Sequence, residues 1–150
     1  MEYYFNAHLV ISALLTLGYI VVMYQYIKGW KMLPTWEVPP HYIPHTKVSI
    51  IIPARDEEKS ILNCLSSIVQ QNYPTLLWEV IVVDDHSTDQ TVDLVSSLAH
   101  PNVKLLRLAD FVQEGETKAY KKKAIEVAIA ASTGSLIVTT DADCVVQPNC

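Results

Sequence analysis

"EVIVVDDHSTDQT", residues 79–91, is the stretch that decides the fold. Glu79-Val80-Ile81-Val82-Val83-Asp84 is a short apolar run rich in β-branched residues, which predicts a buried strand. Asp84 and Asp85 stop it abruptly. Ser87, with Gln90 three residues later, has the form of a capping box. Val92, Val95 and Leu98 or Ala99 then follow as one face of a helix. A buried strand that passes through a polar turn into a helix is the first half of a βαβ unit.

The same order recurs on both sides. Upstream, Val48-Ser49-Ile50-Ile51-Ile52-Pro53 reads as a buried strand, and Ile61, Leu62, Leu65, Ile68 and Val69 repeat at helical spacing until Asn72-Tyr73-Pro74 ends the helix. Downstream, Val103 to Leu108 is a third strand, and residues from about Lys118 to Ala131 form a third helix with Gly134 at its C-terminal cap. Leu136 to Thr140 is a fourth strand. Strand and helix alternate three times, so the expected fold class is α/β: right-handed crossovers and a parallel sheet covered on both faces. Ligands of such sheets bind at the carboxyl ends of the strands.

Polar residues just past the strand ends are therefore the candidates for chemistry. They are Arg55-Asp56-Glu57-Glu58, Asp84-Asp85-His86-Ser87-Thr88-Asp89, and Asp141-Ala142-Asp143-Cys144, with Asp110 after the third strand. Clustered carboxylates raise one another's pKa and destabilise the fold unless a partner relieves them. A hard divalent cation is one such partner, and hydroxyl and N–H donors of a ligand are another. In an extended strand Asp141 and Asp143 point to one face, about 6.5–7 Å apart, with Ala142 turned into the core or left small for clearance. Lys118, Lys121, Lys122 and Lys123 crowd the start of the third helix, where cations oppose the helix dipole and a bound phosphate reverses that penalty. Acids for a metal and lysines for an anion at one sheet edge suggest a metal–diphosphate ligand. Taken singly, Asp89 reads as a helix-start acid, Glu57 and Lys59 as solvated surface, His86 as a turn residue and Cys144 as a small packed one.

Elsewhere the chain of 150 residues has room for one domain and an appendage. Its net charge of −5 argues against a nucleic-acid partner. Cys64, Cys144 and Cys150 make an odd count with no C-x-x-C spacing, so neither a disulfide framework nor a zinc site is expected, and a reducing compartment fits. From Leu9 to Ile27 no charge occurs, which fits one membrane-spanning helix within an anchor of residues 1–31. Lys28 and Lys31 follow the span and only Glu2 is charged before it, which places the remainder in the cytoplasm. Trp30 and Trp36 would lie near the interface. Pro34, Pro39, Pro40 and Pro44 mark residues 32–46 as a linker, and the soluble domain occupies residues 47–150.

VSIIIPARDEE, EVIVVDDHSTDQT and a lysine-started helix leading to TGSLIVTTDADC, in that order, resemble glycosyltransferase family 2, over about residues 47–147. The resemblance implies the GT-A fold, a Rossmann-like nucleotide-binding sheet, here preceded by a membrane helix. It implies inverting transfer of a hexosyl group from a nucleotide-diphosphate sugar, with UDP as the nucleotide, to an acceptor hydroxyl of a glycan or lipid, with Mg²⁺ or Mn²⁺ as cofactor. Carried onto this sequence, Pro53, Ala54, Asp56 and Glu58 form the loop that contacts uracil and ribose, and Asp85 recognises the base. Lys122 is the nearest match to the family's lysine, with Lys121 and Lys123 still open. Asp141-Ala142-Asp143 matches the family's D-x-D motif: Asp143 ligates the metal, and Asp141 contacts the ribose or a water held by the metal.

The general base lies well downstream of that motif in the family, so no catalytic residue is assigned within the chain, which reads as an amino-terminal fragment inactive by itself. A sugar-phosphate nucleotidyltransferase is an alternative, but PARDEE lacks the Gly-rich phosphate loop it needs. A receiver domain would put its acid pair after the first strand and leaves the D-x-D unexplained. A membrane-tethered nucleotide-binding module without catalysis is the third possibility.

Overall fold

In a computed structural model of the chain, residues 2–35, 39, 41–112 and 120–147 are described. Trp36, Pro40, Lys118 and Cys150, which the sequence reading singles out, lie outside them. The chain divides into two compact units, Met1–Tyr42 and Ile43–Cys150.

The first unit is one helix, α1 (Glu2–Met32). Within it Asn6–Lys31 is long and apolar enough to cross a membrane, a stretch that extends beyond the 9–27 span read from the sequence. Every described side chain from Asn6 to Thr35 is exposed. A helix that is apolar all round and buried nowhere lacks the one-sided stripe of a core helix.

The second unit runs β1 (Val48–Ala54), α2 (Ile61–Val69), β2 (Trp78–Asp84), α3 (Thr91–Ser97), β3 (Val103–Arg107), α4 (Tyr120–Ala131) and β4 (Leu136–Thr139). The strands form one parallel sheet in the order β3-β2-β1-β4. The chain thus steps one way from β1 to β3, then returns to place β4 on the far side of β1. Right-handed crossovers in opposite directions put their helices on opposite faces. The packing agrees: Trp78, Val80 and Val82 meet Ile61, Leu65, Ile68 and Val95, while Ile81 and Val83 meet Ala124, Val127 and Ala128. β2 is buried at every residue, because it is sandwiched between these two layers. That is why its sequence is continuously apolar instead of alternating. The reversal of direction beside β1 makes the carboxyl ends of β1 and β4 the topological switch point of the sheet, where an open α/β sheet leaves a crevice.

Polar groups pin the opposite edge of the sheet. Glu79, nearly buried at the start of β2, accepts hydrogen bonds from the Ser49 hydroxyl (2.7 Å), the Thr133 N–H (2.6 Å) and hydroxyl (2.7 Å), and Lys104 Nζ (2.7 Å). Burial alone would raise its pKa, but these donors outweigh it and hold the carboxyl at about 2. One buried carboxylate so ties β1, β3 and the α4–β4 loop to β2.

Several element ends differ from the sequence reading. β3 stops at Arg107 and Leu108 turns inward to begin a single 3₁₀ turn, Leu108–Asp110. β4 stops at Thr139. The Ser87–Gln90 capping box does not form: the Ser87 hydroxyl accepts from the Asp56 N–H (3.0 Å), while the Asp89 carboxylate takes the Thr91 N–H (2.9 Å) at the start of α3. Gly134 is demanded by close approach: a Cβ there would lie 2.6 Å from the Ser49 nitrogen and 2.9 Å from the Lys47 carbonyl oxygen.

Candidate functional site

Two loops frame the switch point, residues 55–60 after β1 and residues 85–90 after β2. They are cross-bonded along their length. Asp56 Oδ1 accepts from the Thr88 N–H (2.7 Å), the Glu57 N–H donates to Thr91 Oγ1 (2.8 Å), and the Glu58 N–H donates to Asp89 Oδ2 (3.0 Å). In return the Gln90 N–H donates to Glu58 Oε2 (3.3 Å). Asp56 holds a left-handed backbone, φ 53°, which an aspartate tolerates better than most residues. The donors around Asp89, chiefly the Thr91 hydroxyl and N–H and the Glu58 N–H, lower its pKa against the opposing effect of desolvation. Three of the clustered carboxylates, Asp56, Glu58 and Asp89, are therefore relieved by the neighbouring loop, without metal or ligand.

Glu57, Asp85, Asp141 and Asp143 line a cavity of about 250 Å³. Pro53 and Ala54 floor it, and Asp85, Asp141, Asp143 and Lys121 stand around it. A second hollow of about 390 Å³ shares Pro53, Lys121 and Asp141 and adds Thr139, Thr140 and Cys144. Asp84 and Asp85 have separate roles. Asp84 is buried and accepts from the Ser87 N–H (3.2 Å), which shapes the turn. Asp85 lines the cavity. Its Oδ1 is bonded to His86 Nδ1 (2.9 Å), and Arg55 Nη1 stands 3.9 Å from its Oδ2. His86 sits at φ 57°, a conformation that costs an ordinary L-residue about 1–2 kcal/mol.

Asp141-Ala142-Asp143 follows β4, but its backbone is a turn and not the extended chain that the i, i+2 spacing assumes. The Cys144 N–H donates to the Asp141 carbonyl (3.2 Å) and closes a tight turn. Ala142 is buried against the α2 layer and anchors the turn, while Asp141 and Asp143 are exposed on the cavity wall. The two acids share one cavity because of this anchored turn, not because of an extended backbone. Cys64 lies beneath, with Sγ 3.7 Å from the Asp141 carbonyl oxygen. Burial, helped by the nearby Cys144 and Asp143, pushes its thiol up to about 11.

Among the lysines, Lys121 reaches the cavity and donates to Asp141 Oδ1 at 2.7 Å. That hydrogen bond, reinforced by the charge of Asp141, raises its pKa. Lys123 pairs with Glu126 at 3.0 Å. Lys122, favoured from the sequence, is exposed and lines neither hollow. The sequence carried a signal for this. Ala124, Val127 and Ala128 form the buried stripe of α4, and Lys121 continues that stripe one turn toward the strand ends. His86 stands in the turn after β2, as its reading has it, but nothing in the spacing reveals its bond to Asp85.

Asp141 and Asp143 supply hard oxygen donors, which fit Mg²⁺ or Mn²⁺. Such ions commonly take one or two carboxylates and complete their shell with substrate phosphates and water. Among the described residues no group of three or more His, Cys, Asp or Glu forms a self-sufficient cage.

The sequence profile of the family described as glycosyl transferase family 2 matches residues 49–150. The probable glycosyltransferase YdaM of Bacillus subtilis is 32% identical over 123 residues, which are 79% of this chain and 27% of YdaM. Glycosyltransferase AglE of Haloferax volcanii is 31% identical over 99 residues, 65% of this chain and 30% of AglE. The chain thus spans less than a third of the length of these curated relatives. Among solved structures, the mannosyltransferase PcManGT of Pyrobaculum calidifontis in complex with GDP-Man and Mn²⁺ aligns with a TM-score of 0.65 at 32% identity, covering 86% of this chain and 36% of that one. S. aureus TarS in complex with UDP aligns at 0.56 and 34% identity, over 65% of this chain and 27% of that one. The parallel sheet with helices on both faces is the GT-A arrangement of these neighbours. With that fold, and a profile match that runs from β1 through the acidic turn after β4, the chain belongs to glycosyl transferase family 2.

Proposed function

We propose that the second unit is the nucleotide-sugar-binding half of an inverting, metal-dependent glycosyltransferase. It would pass a hexosyl group from a UDP-sugar to an acceptor hydroxyl. One observation carries this reading: Asp85, Lys121, Asp141 and Asp143, brought from two strand ends and a helix start, line one cavity at the switch point of the sheet. Structures of S. aureus TarS with UDP and with UDP-GlcNAc favour uridine as the nucleoside, and the Mn²⁺ in PcManGT favours a divalent cation.

The residues divide the task. Asp85 accepts from the ring N–H of the base, and the Pro53-Ala54 backbone lies under the nucleoside. Asp56 and Glu58 act one step away, since their carboxylates hold the two loops together. Asp143 is the metal ligand, and Asp141 contacts the ribose or supports the ion. When bound, Mg²⁺ or Mn²⁺ supplies Lewis-acid stabilisation to the departing diphosphate. Lys121, held on Asp141 at 2.7 Å, swings to the more highly charged diphosphate and adds a second positive charge there. No described residue is assigned as the general base.

Calorimetric titration with UDP, with and without Mn²⁺, tests the reading. Metal-dependent binding that Asp143→Ala weakens at least about tenfold is expected, since a charge-assisted contact is worth roughly 1.5–3 kcal/mol. Metal-independent binding that is indifferent to the substitution contradicts it. The same proposal makes α1 a single membrane span with the second unit on the cytoplasmic side, because Lys28 and Lys31 follow the apolar stretch. Release of the chain from membranes by alkaline carbonate would contradict the span.

A further inference from the structure

We propose that His86 is a positioning residue for base selection, resting on the UDP-site reading above. It fixes the Asp85 carboxylate so that the cavity prefers bases with a ring N–H, uracil or guanine, over bases with a bare ring nitrogen, cytosine or adenine. The first observation is the backbone. His86 adopts φ 57°, a left-handed backbone that glycine would hold with less strain. The second is what the ring does there. Its Nδ1 lies 2.9 Å from Asp85 Oδ1, within hydrogen-bond distance as a donor to that oxygen. The ring also meets Tyr120 edge-on, with centroids 5.6 Å apart at 74°. The imidazole is thus held from both sides.

The third observation is what remains of Asp85. Its N–H is bound to the Ala54 carbonyl (2.8 Å) and its side chain is only 11% exposed. Oδ1 already accepts from His86, whereas Oδ2 has only the Arg55 guanidinium 3.9 Å away, beyond hydrogen-bond reach, and is the more open oxygen for a ligand. A fixed acceptor rewards a ring N–H and repels a ring-nitrogen lone pair. A carboxylate free to rotate loses that directionality.

The test is the affinity of the full chain, in detergent, for UDP and for CDP, with the melting temperature measured alongside. Wild type should prefer UDP. His86→Gly removes the bond to Asp85 together with the backbone strain, so its melting temperature should stay near that of wild type while its preference for UDP falls about tenfold. His86→Asn, which tolerates the left-handed region and keeps a donor, should recover part of the preference. An unchanged preference in His86→Gly, or equal weakening of both nucleotides, overturns the proposal alone. Wild type that binds neither nucleotide overturns the underlying site reading as well.

Discussion

At the residue scale, the surplus of carboxylates at the strand ends has two different explanations. Asp56, Glu58 and Asp89 are loop fasteners, each satisfied by backbone N–H groups of the opposite loop. Asp85, Asp141 and Asp143 face the cavity. The sequence shows all six at strand ends but not which loop crosses which, so it assigns a ligand role to all but Asp89. The lysines give a sharper lesson. Lys121 and Lys122 are adjacent in sequence but about 100° apart around a helix, and the position of the buried stripe decides which one meets the site. Lys121→Met is expected to weaken UDP binding about tenfold, as loss of a charge at phosphate should. Lys122→Met should stay within about twofold, the range of a surface substitution away from special features. Parallel titrations of the two variants check this, and the reverse order would restore Lys122 to the site.

At the element scale, the strands and helices were legible, because the apolar runs and their 3.6-residue or continuous patterns come directly from which faces are buried. Their ends were less so. β4 loses Thr140 because the turn anchored by Ala142 begins there, and the α3 cap moves from Ser87 to Asp89 because Ser87 is engaged by Asp56. Both depend on contacts between segments far apart in sequence. Gly134 was noticed for the wrong reason: the nearness of Ser49, not a helix cap, excludes a side chain. Gly134→Ala should destabilise the second unit by about 1–3 kcal/mol, the usual range for forcing a group into filled space. Chemical denaturation with an unchanged slope would measure it. Ala99, just beyond α3, is the converse case: it is exposed and held at φ 44°. Ala99→Gly should stabilise by about 0.5–1 kcal/mol, since relief of the left-handed strain exceeds the added unfolded-state entropy.

At the scale of the whole molecule, the two ends of the sheet are built for different purposes. The amino end is fastened by Glu79, whose donors join three strands and a loop. Its pKa of about 2 lies below the ordinary 4.5, so its stabilisation is full above about pH 4.5 and is lost as the pH falls toward about 2. Glu79→Gln should lower stability near neutral pH and flatten the acid limb of a stability–pH profile measured by thermal unfolding. An equally steep acid limb in the variant would assign that limb to other carboxylates. The carboxyl end is left open, with exposed acids and a lysine around a cavity between β1 and β4. We propose that this end binds a cation and a diphosphate together. Electron paramagnetic resonance of Mn²⁺ tests it most directly. The signal of free Mn²⁺ should fall when chain and UDP are both present, far less with either alone, and scarcely with Asp143→Ala plus UDP. An Mn²⁺ signal that UDP and the intact chain together leave no lower than UDP alone would contradict it.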